Sequence, residues 1–72
     1  MPKDDLKTTE KQILAAAEEE FLSKGFAGAR TVAIARKAGV THSMLHYYFR
    51  TKEHLFESVL DTKVQLLASS VL

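Results

Sequence analysis

The feature that most constrains this chain is the run from Ile34 to Lys52, Ile-Ala-Arg-Lys-Ala-Gly-Val-Thr-His-Ser-Met-Leu-His-Tyr-Tyr-Phe-Arg-Thr-Lys. Its spacing predicts the end of one short helix, a tight turn, a second short helix and the start of a third. Ala35 is small enough to let two helices approach closely. Gly39 can adopt the left-handed backbone that ends a helix. Val40 fills the corner, and Thr41 offers an oxygen to the open N–H groups of the next helix. Two helices meeting steeply through so short a turn form a compact unit that leaves one side of the second helix in solvent.

The flanking segments read as supports for that unit. Ile13, Leu14, Ala17 and Phe21 recur at helical spacing, which predicts a first helix capped by Thr8 or Thr9, with Glu10 in its first turn. Lys24-Gly25 closes it, and Phe26 folds back onto the core. Glu18, Glu19 and Glu20 cannot all face one way, so part of that run is solvated. Thr31 is the expected cap of a second helix ending near Ala38, with Ile34, Ala35 and Ala38 as its buried face. The third helix is expected over 42–48, with Leu45, Phe49 and Val40 inside and His42, Ser43, His46 and Tyr47 outside. Thr51 caps a last helix whose stripe Leu55, Phe56, Val59, Leu60, Val64, Leu67 and Val71 reaches the end of the chain. At 1.5 Å per residue that helix is about 30 Å long, more than a three-helix head covers. The stripe without a stop signal predicts that a partner surface, or further chain, covers it. The expected organisation is a mobile arm over 1–7, a head over 8–51 and a connecting helix over 52–72. The fold class is all-α, a three-helix helix-turn-helix bundle of homeodomain-like shape plus the start of a long fourth helix.

Charge adds a second constraint. The net charge is only +1, but no acidic residue lies between Glu20 and Glu53. That interval holds Lys24, Arg30, Arg36, Lys37, Arg50 and Lys52, with His42 and His46. A cationic middle in a nearly neutral chain is the footprint expected of phosphate binding. Arg30 and Thr31 fall at a helix N-terminus, where backbone N–H groups and the dipole favour an anion. Histidine, serine and tyrosine on the outward side of the third helix suit base edges, backbone oxygens and thymine methyls.

Other functions find little support. No cysteine is present, which excludes disulfides and thiolate metal sites. No stretch approaches the ~20 apolar residues of a membrane span, and Met1 to Glu10 lacks the apolar run of a signal peptide. His42 and His46 are spaced to share an ion, with His54 a distant third, but two secured ligands make a poor metal site. Ser43 beside His42 is no nucleophile–base pair with an orienting third group, and no glycine-rich phosphate loop occurs. No enzyme activity and no cofactor are expected. The rival from another class is a small helical interaction module that docks through the stripe from Leu55 to Val71.

The combined pattern resembles the N-terminal DNA-binding domain of the tetracycline-repressor (TetR) family of bacterial transcription regulators. The motifs are Ile13-Leu14 through Phe21, Gly25-Phe26, Ile34-Ala35 through Thr41, Leu45 through Phe49, and Thr51-Lys52-Glu53-His54-Leu55; together they cover about residues 10–60. The resemblance implies base contacts from His42, Ser43 and Tyr47, with Met44 beside them. It implies phosphate contacts from Thr31, His46, Tyr48 and Lys52, to which the helix N-terminus reading adds Arg30. This chain departs from the usual pattern at His46, where tyrosine is common, and at Arg30, where a hydroxyl residue is. The resemblance further implies a ligand-responsive repressor in the bacterial cytoplasm. Such a protein binds a palindromic double-stranded operator as a homodimer, and a C-terminal domain outside these 72 residues binds a small-molecule inducer.

Overall fold

In the computed structural model, backbone is described for residues 2–71 and side chains for residues 8–68. The described residues form four helices and no strand: α1 (Pro2–Gly28), α2 (Thr31–Ala38), α3 (His42–Tyr48) and α4 (Lys52–Val71). The all-α helix-turn-helix bundle read from the sequence is the observed fold. α1 is the spine, packing on α2 along one side and on α4 along another.

The core is continuous across all four helices. Ile13, Ala17, Phe21, Ile34, Leu45, Phe49 and Leu55 are buried, with Leu14, Phe26, Val40 and Phe56 half-buried against them. Alanines at 16, 17, 29 and 35 are buried too, which brings the helix backbones close at the crossings. Phe21, Phe26 and Phe56 form a ring cluster with centroids 5.1–6.0 Å apart, so Phe26 does return to the core.

Two glycines shape the chain path. Gly25 has φ 73°, ψ 170°, a region that side chains other than hydrogen avoid, and it breaks α1 before a last turn that ends at Gly28. Gly39 has φ 76°, ψ 27°, and ends α2 with the N–H groups of Gly39 and Val40 returning to Arg36 O and Ala35 O.

Two of the four expected helix starts are observed as read from the sequence, and two differ. Thr41 Oγ1 accepts from Met44 N–H at 3.0 Å, and Thr51 Oγ1 accepts from His54 N–H at 3.0 Å, so both expected caps are in place. Thr31 is not a cap. The extended residue before α2 is Arg30, which has no side-chain cap, and the Thr31 hydroxyl bonds elsewhere. α1 begins at Pro2, so Thr8 and Thr9 lie within it and residues 2–7 of the stretch expected as an arm have helical backbone. The side chain of Val71, part of the expected apolar stripe, lies outside the described residues.

Candidate nucleic-acid interface

α3 is held by one buried residue per turn. Leu45 is fully buried and Phe49, just past the helix end, is nearly so. That anchoring turns His42, Ser43, Met44, His46 and Tyr47 into solvent, with Tyr47 78% exposed and Met44 44%. Tyr48 is half-buried, its ring edge-on to Tyr47 at 5.3 Å. A large aromatic ring this exposed on a short helix packs on a neighbouring ring, not on the core.

The exposed face is prearranged by hydrogen bonds. His42 Nε2 shares a 2.9 Å hydrogen bond with Thr31 Oγ1, tying the start of α3 to the start of α2. His46 Nδ1–H donates to Arg50 O at 3.2 Å, which turns its Nε2 the other way. The two imidazoles meet edge to face at 4.4 Å. Among the described residues, no group of three metal-ligating side chains comes together.

Beside this face lies an open groove of about 400 Å³ lined by Ala29, Arg30, Thr31, Val32, His46 and Lys52. Four residues expected from the sequence as phosphate partners therefore share one wall: Arg30, Thr31, His46 and Lys52. The first N–H groups of α2, which lack intrahelical acceptors, open at the same place. Lys52 also has an internal duty that the sequence reading missed. Its ammonium donates to Ala29 O at 3.1 Å and Ala27 O at 3.4 Å, and it sits 4.7 Å from the Phe26 ring centroid. It thus closes the end of α1 against α4, while the third ammonium N–H remains for another acceptor.

The cationic interval is not uniformly free. Lys37 lies 3.1 Å from Glu20 Oε1 and 3.2 Å from Glu19 Oε1, and Lys24 lies 3.2 Å from Glu20 Oε2. Glu20 is fully buried. Lys37, above all, holds the Glu20 carboxyl below its ordinary pKa; desolvation opposes this, and the Arg30 N–H and Lys24 reinforce it. Glu20 and then Glu19 raise Lys37 above its own ordinary value. The sequence carried a signal for this burial: Glu20 lies seven residues after Ile13 and three after Ala17, on the core-facing side of α1. By contrast, the side chains of Arg30, Arg36 and Arg50 are exposed and make no ion pair among the described residues.

A short, exposed second helix anchored by Leu45 and flanked by free arginines defines a helix-turn-helix head. The sequence profile described as "Bacterial regulatory proteins, tetR family" matches residues 13–59. The chain belongs to that family, whose members are DNA-binding transcription regulators and are generally not enzymes. It is 40% identical over 67 residues to the HTH-type transcriptional repressor SCO4008 of Streptomyces coelicolor, covering 93% of this chain and 35% of that protein. It is 48% identical over 50 residues to the HTH-type transcriptional regulator RutR of Escherichia coli, covering 69% of this chain and 24% of RutR. Over 71 residues it is 35% identical to the HTH-type transcriptional activator FasR of Mycolicibacterium smegmatis, covering 99% of this chain and 31% of FasR. The chain thus spans about a third or less of the length of these relatives. No solved structure gives a significant match.

Proposed function

We propose that this chain is the reading head of a ligand-responsive bacterial transcription regulator, a repressor, and that it binds double-stranded DNA with α3 in the major groove. The observation that carries this reading is the outward face of α3. Its polar and aromatic side chains stand in solvent beside a groove whose wall is basic. In this reading His42, Ser43, Met44 and Tyr47 meet base edges. His42 does so through Nδ1, because Nε2 is held by Thr31. Arg30, Thr31, His46, Tyr48 and Lys52 meet phosphates, His46 through the Nε2 that its bond to Arg50 O turns outward.

One head covers one half-site. A palindromic operator with half-sites about 34 Å apart needs two heads, so the working protein is a homodimer. Dimerisation and inducer binding belong to a C-terminal domain beyond this chain, in a protein of the bacterial cytoplasm. Among the described residues, no helix is long and apolar enough to cross a membrane.

The test is selection of duplexes from a random pool by the full-length protein, followed by titration at several salt concentrations. A single enriched motif, with affinity that falls steeply as salt rises, is the expected result. Absence of any enriched motif overturns the reading. A second reading has its own observation: Leu60, Val64, Leu66 and Leu67 are 49–67% exposed along α4. Leu55 and Val59 of the expected stripe are buried in the core, so a protein-docking role would use its exposed part, Leu60 to Leu67, and predicts binding that is indifferent to salt.

A further inference from the structure

Glu20 is a fully buried carboxylate that the DNA reading leaves without a role. A leucine of similar volume beside Ile13 and Ala17 would continue the apolar face of α1 without any charge to desolvate, and such replacements are often neutral or stabilising. What the carboxylate adds is geometry. Its two oxygens reach donors on two helices: Oε2 accepts from the Arg30 N–H at 3.3 Å and faces Lys24 at 3.2 Å, while Oε1 faces Lys37 at 3.1 Å. Arg30 and Lys37 lie two turns apart on one side of α2. A single carboxylate on α1 therefore contacts α2 at both its start and its end.

The connection continues to the exposed face. Arg30 precedes α2 without a side-chain cap, so the Glu20 bond takes over part of what a cap does for the chain entering that helix. The next residue, Thr31, is hydrogen-bonded to His42, the first residue of α3. From the buried oxygen to the reading face there are two hydrogen bonds and one peptide unit. The dense packing of Ile34 and Ala35 against α1 leaves little slack to absorb a shift.

We propose that Glu20 is a positioning residue for base discrimination, setting His42 through Arg30 and Thr31. This role rests on the DNA reading above. The experiment uses the full-length protein and the duplex selected by it, and measures discrimination at each base pair for wild type, His42→Ala, Glu20→Leu, Glu20→Gln and the Glu20→Leu/His42→Ala double variant. Glu20→Leu is expected to lose about tenfold in discrimination, the scale of a single base contact, at the base pair that His42→Ala affects. In the His42→Ala background it should add nothing. Glu20→Gln still offers an oxygen to the Arg30 N–H and should keep the wild-type preference even where its melting temperature falls. Should Glu20→Leu fail to fold, Glu20→Met/Lys37→Met removes the acceptor and its main cationic partner together and carries the same expectation. Three results overturn the inference: a lower melting temperature with unchanged base preference, a uniform loss at every position, or a His42→Ala variant that discriminates like wild type. A wild-type protein that selects no sequence overturns the DNA reading itself, whereas normal selection retained by Glu20→Leu overturns only the role of Glu20.

Discussion

The lysines and the arginines of the acid-free interval occupy different worlds. Lys24 and Lys37 face the acids of α1, and Lys52 is bonded to the carbonyls that end that helix. Arg30, Arg36 and Arg50 extend into solvent with no ion pair among the described residues. The difference teaches that a cationic stretch overstates a cationic surface. The three lysines assemble the head, Lys52 with one ammonium N–H left for a phosphate, and the three arginines are available to a polyanion.

Substitutions should separate the two groups, and the largest effect is expected inside. Lys37→Met leaves Glu20 buried without its principal counter-ion, so its melting temperature should fall further than that of Tyr47→Ala, Gly39→Ala, Arg36→Ala or Lys24→Ala. A melting temperature equal to wild type would break the comparison. The same pair makes stability pH-dependent on both sides. The folded state holds the Glu20 pKa down, so its contribution is complete above the ordinary carboxylate range and is lost as pH falls through the lowered value. The folded state raises Lys37, so its contribution is complete below the ordinary lysine range and is lost as pH rises through the raised value. Denaturation midpoints across pH, with Glu20→Gln as reference, check both signs.

On the outer face, Tyr47→Ala should cost about 1–3 kcal/mol on the selected duplex and much less on random DNA, with folding stability within about 0.5 kcal/mol of wild type. Equal losses on both duplexes would remove Tyr47 from base reading. Between the two regions stands the corner itself. Gly39→Ala should destabilise by about 1–2 kcal/mol, a purely backbone effect, because an added Cβ meets no atom within 4 Å. Chemical denaturation measures it, and a neutral result would mean the turn relaxes. Smallest of all, Arg36→Ala should leave stability within about 0.5 kcal/mol and reduce the salt slope of DNA binding by about one, whereas Lys24→Ala should leave that slope unchanged.

The parts of the fold that local chemistry decides were legible in the sequence. Gly39, Thr41 and Thr51 act through their own backbone or the next turn, and each takes the conformation its residue type favours. The exposed side of α3 followed from Leu45 and Phe49 alone. What the sequence left open depends on partners ten or more residues away. Glu20 meets Arg30, Thr31 meets His42, and Lys52 meets Ala27 and Ala29 only once the helices are packed. A lysine in a sequence is a charge of unknown destination until the carbonyls and carboxylates around it are placed. The run Glu18–Glu20 showed the same ambiguity: helical spacing put Glu20 inward, but its acidity argued for solvent.

The most direct measurement is a map of backbone amide chemical-shift changes when the protein is titrated with its selected duplex. Insertion of α3 into the groove predicts the largest changes at Arg30, Thr31 and residues 42–48, with little at Leu22, Leu60 and Lys63. Changes concentrated along Leu60–Leu67, with residues 42–48 unmoved, would contradict it.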